Sequence, residues 1–221
     1  DTTVMAFRIG EHPEVMLPVN VNSDGNYLSY GVTGISLPAA PLVDAFMGEK
    51  NINWHAALDP ERPMAIDPLT GGAGGAGPLM FANYRKSQCD GMQNALRIIE
   101  ETHKDWGDRI GRYYAPLVEE YRLEDADYAL VTIGSMTGAA IKIKTFRPFP
   151  VEAINRALSR VKAIGVVDRS VNFGWNCGPL YQETLAAAQR LQRFIPSASF
   201  IGGLAGSDIT VEPFSQVIEA T

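Results

Sequence analysis

The stretch Ile141–Asp168, IKIKTFRPFPVEAINRALSRVKAIGVVD, constrains the fold more than any other part of the chain. Ile141–Phe146 is a β-rich run. Arg147-Pro148-Phe149-Pro150 stops it, because proline has no N–H to give to a sheet ladder. Val151, Ile154, Leu158 and Val161 then recur at three- and four-residue spacing, which predicts a helix with one apolar face. Ala163–Val167 is a short apolar run ending at Asp168, as expected of a strand covered on both sides. Strand, helix and strand in this order make a β-α-β unit with a right-handed crossover. The fold class expected is α/β: an open parallel sheet with helices on both faces.

The rest of the chain is read around that unit. Thr3–Glu11 reads as the end of a helix, Leu17–Asn22 as a strand closed by an Asp24-Gly25 turn, and Pro41–Met47 as a short helix. Asn51–Gly77 holds Asp59-Pro60-Glu61-Arg62-Pro63 and the run GGAGGAG. It cannot build a core and reads as a linker containing a domain boundary. Pro78–Thr102 is expected as a long helix with proline in its first turn and Leu79, Phe81, Cys89, Met92, Leu96 and Ile99 as its apolar residues. Gly91 marks a kink or a close contact within it. Asp105–Tyr114 reads as a second helical piece, Leu117–Tyr121 as either a strand or a helix end, and Tyr128–Ile133 as a buried strand. Beyond Asp168 come a Gly/Asn-rich loop at Arg169–Pro179, a helix at Leu180–Phe194 and a strand at Ser199–Ile201. A loop at Gly202–Ser207 and a closing helix at Ile209–Ala220 follow. The expected division is 1–50, a linker at 51–77, a helical connector at 78–127 and an α/β domain at 128–221.

One junction does not fit. Only Gly134–Ala140 separate the strand ending at Ile133 from the one starting at Ile141. A parallel pair needs a crossover of about a dozen residues or more, and a hairpin would make the pair antiparallel. Gly134-Ser135-Met136-Thr137-Gly138 looks like the start of a helix that does not continue. The expectation is that residues are absent between about Thr137 and Ile141.

Composition excludes several classes of function. The net charge of −6 argues against a nucleic-acid surface. No apolar run is long enough to span a bilayer, so no membrane partner is expected. Cys89 and Cys177 are far apart with no C-x-x-C, which reads as a reduced, cytoplasmic chain. They are too few to ligate an iron–sulfur cluster.

No carboxylate, histidine or nucleophile pattern reads as a catalytic engine, so no catalytic residue and no metal ligand is assigned. His12, His55 and His103 are scattered without metal spacing. Gly202–Gly206 follows a strand and could turn N–H groups toward a phosphate. It misses G-x-G-x-x-G, and Asp208 would repel an anion. The favoured reading is a tight connection with Ser207 or Asp208 as a helix cap. Gly71–Gly77 lacks the Lys-Ser/Thr of a phosphate loop and reads as linker. Asp168-Arg169 reads as structural, with an ion pair inside the subunit or to a neighbour as the options. In the loop Asn172–Cys177, the residues Phe173, Trp175 and Cys177 are the candidates for an interface with another subunit. The alternative is that Trp175 folds back over the helix Leu180–Phe194.

The segment TFRPFP, the helix after it and AIGVVDRS resemble the second domain of the alpha subunit of thiamine-diphosphate-dependent 2-oxoacid:acceptor oxidoreductases, the pyruvate:ferredoxin oxidoreductase family. Val15–Tyr30, Gly77–Ala95, Gly111–Glu120 and Phe200–Asp208 resemble it too, in family order. The resemblance implies a transketolase C-terminal-like domain II, preceded by the end of a thiamine-binding-type α/β domain that should begin before Asp1. It implies a helix in the Thr137–Ile141 gap. It implies oxidative decarboxylation of a 2-oxoacid such as pyruvate, oxalate or an aryl glyoxylate, to acyl-CoA or CO2. The substrates would be that acid and coenzyme A, and the acceptor ferredoxin or NAD. Thiamine diphosphate and 4Fe–4S clusters would lie in the complex, with FAD as a third candidate. The partners would be the other subunits, and none of these cofactors would be held by this chain alone. The loop at Asn172–Cys177 is closer to the version in members acting on less usual oxoacids. Two other readings are a non-catalytic docking or regulatory α/β module and a small dinucleotide-binding domain.

Overall fold

The computed structural model describes residues 1–25, 28–49, 60–61, 77–134, 141–207 and 219, the side chains of 77–80 excepted. The chain divides into two units, Asp1–Val21 with Gly34–Tyr114, and Asn22–Thr33 with Ala115–Thr221.

Among its described residues, the first unit holds three helices: α1 (Thr2–Gly10), α2 (Ala40–Met47) and α3 (Gly77–Ile110). Pro41 stands in the first turn of α2, where its missing N–H costs nothing. In α3, Gly91, Ala95, Ile98, Thr102 and Trp106 are buried at three- and four-residue steps, the stripe that faces a core. Met5 and Ile9 of α1 and Phe46 of α2 are buried as well. Phe46 and Trp106 meet edge to face at 4.7 Å, a favoured aromatic geometry. Arg8 donates to the Phe46 carbonyl at 3.0 Å, a cation at the carboxyl end of α2, and pairs with Asp105. Arg109 joins the same carboxylate at 2.9 Å.

Three expectations are corrected here. Leu17–Asn22 is not a strand, because among the described residues no neighbouring segment pairs with it in a ladder. Asp105–Tyr114 is not a separate piece: α3 runs unbroken to Ile110, and Gly111 at φ +70 ends it. The expected apolar stripe is also misplaced. Phe81 and Cys89 are exposed, and of the expected stripe residues whose side chains are described only Ile99 is fully buried. The linker at 51–77 falls almost wholly outside the described residues.

Among its described residues, the second unit is built on five strands in the order β1-β3-β2-β4-β5. They are β1 (Val118–Glu120), β2 (Tyr128–Ile133), β3 (Ile141–Ile143), β4 (Ala163–Asp168) and β5 (Ser197–Ile201). Four run parallel, and β1 adds antiparallel to β3 at the edge. The sheet is therefore mixed, and Leu117–Tyr121 resolves to that edge strand. Helix α4 (Val151–Leu158) links β3 to β4, and α5 (Pro179–Ala188) links β4 to β5. Leu180–Phe194 is shorter than expected: α5 gives way to a 3-10 turn at Gln189–Leu191. Ile154, Ala157 and Leu158 of α4 and Leu180 and Ala187 of α5 close over Ala129, Val131, Ile164 and Val166. The opposite strand residues Leu130, Thr132, Ala163 and Val167 are buried too. The helix expected near Thr137 lies outside the described residues, as does that at Ile209–Ala220 apart from Glu219.

The pairing of β2 with β3 is parallel, Val131 opposite Ile141, with only residues 134–140 between the strands. A hairpin is thereby excluded, and the connection is shorter than a parallel crossover ordinarily needs. The expected break itself falls at residues 135–140, outside the described residues.

Candidate functional site

Open α/β sheets present their working residues beyond the carboxyl ends of the strands, so the candidate site is that edge of the second unit. Asp168 closes β4 and is 2% exposed. Its Oδ1 accepts the Leu180 N–H and its Oδ2 the Tyr181 N–H, both at 3.0 Å. These donors belong to the first turn of α5, whose N–H groups have no partner within the helix. Asp168 thus supplies from the strand end the acceptor that a helix cap usually supplies. Gly178 makes this approach possible: a Cβ there would stand 2.1 Å from the Asp168 Cγ. Burial pushes the Asp168 carboxyl above its ordinary range, against the pull of the two backbone donors. Its role is structural, as its neighbours in sequence suggested. The sequence signal for it was an acid at a strand end followed ten residues later by Gly178-Pro179.

Arg169, the next residue, donates through Nη1 to Asp24 Oδ1 at 3.0 Å. Of the two options for this side chain, the structure takes an ion pair within the chain. Its partner 145 residues away carried no local signal.

The loop beyond is closed on itself. Asn172 N–H donates to the Cys177 carbonyl and Trp175 N–H to the Asn172 carbonyl, both at 3.0 Å. The Asn172 side chain reaches Gln182 of α5 at 2.6 Å, and Gly174 turns the chain at φ +87. This scaffold leaves Phe173 97% and Trp175 67% exposed, while Cys177 is turned inward at 7%. Trp175 does not fold back over α5. Cys177 supports the loop from beneath.

The other candidates that the structure describes take part in local structure. In the Gly202–Gly206 turn, Gly202 donates its N–H to the Asp168 carbonyl at 2.9 Å and Ser207 to the Leu204 carbonyl at 3.1 Å. Those donors are taken up inside the chain rather than offered to a phosphate. Asp208, residues 71–76 of the glycine-rich run, and His55 lie outside the described residues. His12 accepts the Glu14 N–H in an exposed turn, and His103 bonds the Ile99 carbonyl one helical turn back. Among the described residues, no group of His, Cys, Asp or Glu side chains could hold a metal ion. None of the described helices is long and apolar enough to cross a membrane. The residues described fit neither an iron–sulfur cluster, which needs four thiolates or their substitutes, nor the metal-bound diphosphate of thiamine.

Comparison with known proteins adds what the geometry alone does not carry. Residues 135–214 match the pyruvate:ferredoxin oxidoreductase core domain II. The chain is 63% identical, over its full length, to the NADH-dependent phenylglyoxylate dehydrogenase subunit alpha of Aromatoleum evansii. It is 32% identical to the pyruvate synthase subunit PorA of Thermotoga maritima, over 99% of its length. The identity to that of Methanosarcina barkeri is also 32%, over the full length. The chain spans 57–58% of the length of these relatives. The first of these matches covers 237 aligned positions, against 221 residues in the chain.

Proposed function

Because the chain belongs to the alpha-subunit family of 2-oxoacid:acceptor oxidoreductases, we propose that it serves as the C-terminal portion of such a subunit within a multi-subunit enzyme. The proposed reaction is oxidative decarboxylation of a 2-oxoacid, with electrons passed to NAD or ferredoxin. Thiamine diphosphate, the 4Fe–4S clusters, FAD and the grip on substrate and coenzyme A are assigned to other parts of that enzyme. Among the described residues no group of His, Cys, Asp or Glu side chains could ligate a metal centre. Its own part is to hold the sheet edge and its loops in place for neighbouring subunits. Phe173 and Trp175 are the proposed contacts, with Cys177 behind them. Residues 1–50 are read as the end of the preceding domain, 51–77 as a linker, 78–127 as a helical connector and 128–221 as domain II. The proposed compartment is the cytoplasm, consistent with two cysteines that form no disulfide.

Among 2-oxoacids, we favour an aryl glyoxylate, with NAD as acceptor. The observation that carries this is the 63% identity to a subunit whose name specifies phenylglyoxylate and NADH, against 32% to a pyruvate synthase subunit. The test is to purify the complex through a tag on this chain and follow NAD reduction with coenzyme A present. Phenylglyoxylate should support reduction and pyruvate should support little. A preference for pyruvate, or reduction of ferredoxin alone, contradicts the assignment.

A further inference from the structure

In the first unit, the buried face of α3 outruns what covers it. Gly91, Ala95, Ile98, Thr102 and Trp106 are buried, and the same three- and four-residue steps continue toward the amino end as Gln88, Tyr84 and Phe81. There the stripe lies open. Phe81 is 42% and Tyr84 37% exposed, and every residue from Phe81 to Asp90 is exposed. These residues make about 15 Å of helix, a length that has little stability in water without packing.

The segment Leu17–Val21 lies against the same helical layer. Leu17 Cδ1 is 3.5 Å from the point where a Cβ on Gly91 of α3 would stand, and Val19 Cγ2 is 3.0 Å from that point on Gly10 of α1. Leu17 and Val19 thus meet the helices, and they alternate with exposed Pro18 and Asn20. This is the pattern of a strand laid over helices. Among the described residues the segment joins no ladder, and its one backbone donation is from Leu17 N–H to the Gly10 carbonyl at 3.2 Å. Val19 and Val21 stay 42% and 47% exposed. Residues two apart in a strand turn their N–H and C=O groups to one edge, and an open edge is a template for another strand.

We propose that Leu17–Val21 takes a β-strand from the part of the same subunit outside these 221 residues, and that the layer bringing this strand also covers Phe81 and Tyr84. The inference rests on reading the chain as a portion of a longer alpha subunit. The chain spans 57–58% of the length of its relatives, so more than two fifths of such a subunit is left to supply the layer. Main-chain hydrogen bonds at Val19 and Val21 set the register of the incoming strand, and its side chains close beside the two valines.

Amide hydrogen exchange and hydroxyl-radical labelling test this on the 221-residue chain and on the complete subunit, alone and within its enzyme. The Val19 and Val21 amides should exchange freely in the 221-residue chain. In the complete subunit they should exchange roughly a hundredfold more slowly, with or without the other subunits. Labelling of Phe81 and Tyr84, strong in the 221-residue chain, should be lost in the complete subunit. Equal exchange in the two preparations, or labelling that persists, would overturn the proposal. So would protection already present in the 221-residue chain, which would put the partner strand inside it, or protection that appears only when other subunits join. An enzyme active on a 2-oxoacid with unprotected Val19 and Val21 amides would sink this inference and leave the proposed function standing. Protected amides in an enzyme without that activity would do the reverse.

Discussion

At Asp168 two demands compete: burial disfavours the carboxylate, and two backbone donors favour it. Burial wins, so the folded chain holds its proton at a pH where the unfolded chain has lost it. The contribution of this group to stability therefore falls as pH rises from the ordinary carboxylate range through the raised value. Urea midpoints measured at rising pH, starting in the ordinary carboxylate range, should show that decline, and Asp168→Asn should flatten it. Asp168→Ala should cost more than Asp168→Asn, about 2 kcal/mol, because both α5 donors lose their acceptor, Leu180 in a buried and Tyr181 in a half-buried position. Two glycines of α3 should respond in opposite ways to alanine. Each substitution gains about 1 kcal/mol of helix propensity. At Gly91 the new methyl would meet the Val15 backbone carbonyl at 2.5 Å, which cannot step aside, so Gly91→Ala should lower the melting temperature. At Gly107 the obstacle is the ring of Tyr113 at 2.4 Å, an exposed side chain that can swing away. Gly107→Ala should be neutral or stabilising in the same melts.

At the scale of elements, the sequence was legible where one period dominated. The spacing of Val151, Ile154, Leu158 and Val161 announced a helix, and Ala163–Asp168 a doubly covered strand through its unbroken apolar run. The strand formed as read, and the helix formed but ends at Leu158, short of Val161. Leu17–Asn22 was misread because partial alternation records a chemistry suited to a strand, while the ladder needs a neighbour that no local pattern reveals. The stripe of α3 was misread because glycine and threonine helped to form it, and larger apolar residues stood elsewhere on the helix. The Asp24–Arg169 pair was illegible for the same reason as the missing ladder, since both depend on distant chain. The short β2–β3 connection was legible as a contradiction, and the parallel pairing sharpens it. We propose that a helix is absent between Thr137 and Ile141. Inserting a helical segment of about a dozen residues there, the length a parallel crossover needs, should raise the urea midpoint. A fall in the midpoint would count against the missing helix.

For the whole molecule, we propose that the exposed pair Phe173 and Trp175 serves assembly rather than the chain's own folding. Large aromatics held out on a closed loop usually gain a cover, and tryptophan is enriched among interface anchors. Trp175→Ala should leave the melting of this chain nearly unchanged and weaken its association with the other subunits by about 2 kcal/mol. Equal loss of melting temperature with association intact would place Trp175 in the fold instead. The function proposed for this chain is that of a portion, itself without catalytic groups, of a thiamine-dependent, iron–sulfur 2-oxoacid oxidoreductase. The most direct measurement is the thiamine and iron content of two preparations, the tagged chain with whatever co-purifies and the 221-residue chain expressed alone. Both should be present in stoichiometric amounts in the first and absent from the second. Thiamine-dependent decarboxylation of a 2-oxoacid by the chain alone, or a tagged preparation with no thiamine and no iron, would contradict it.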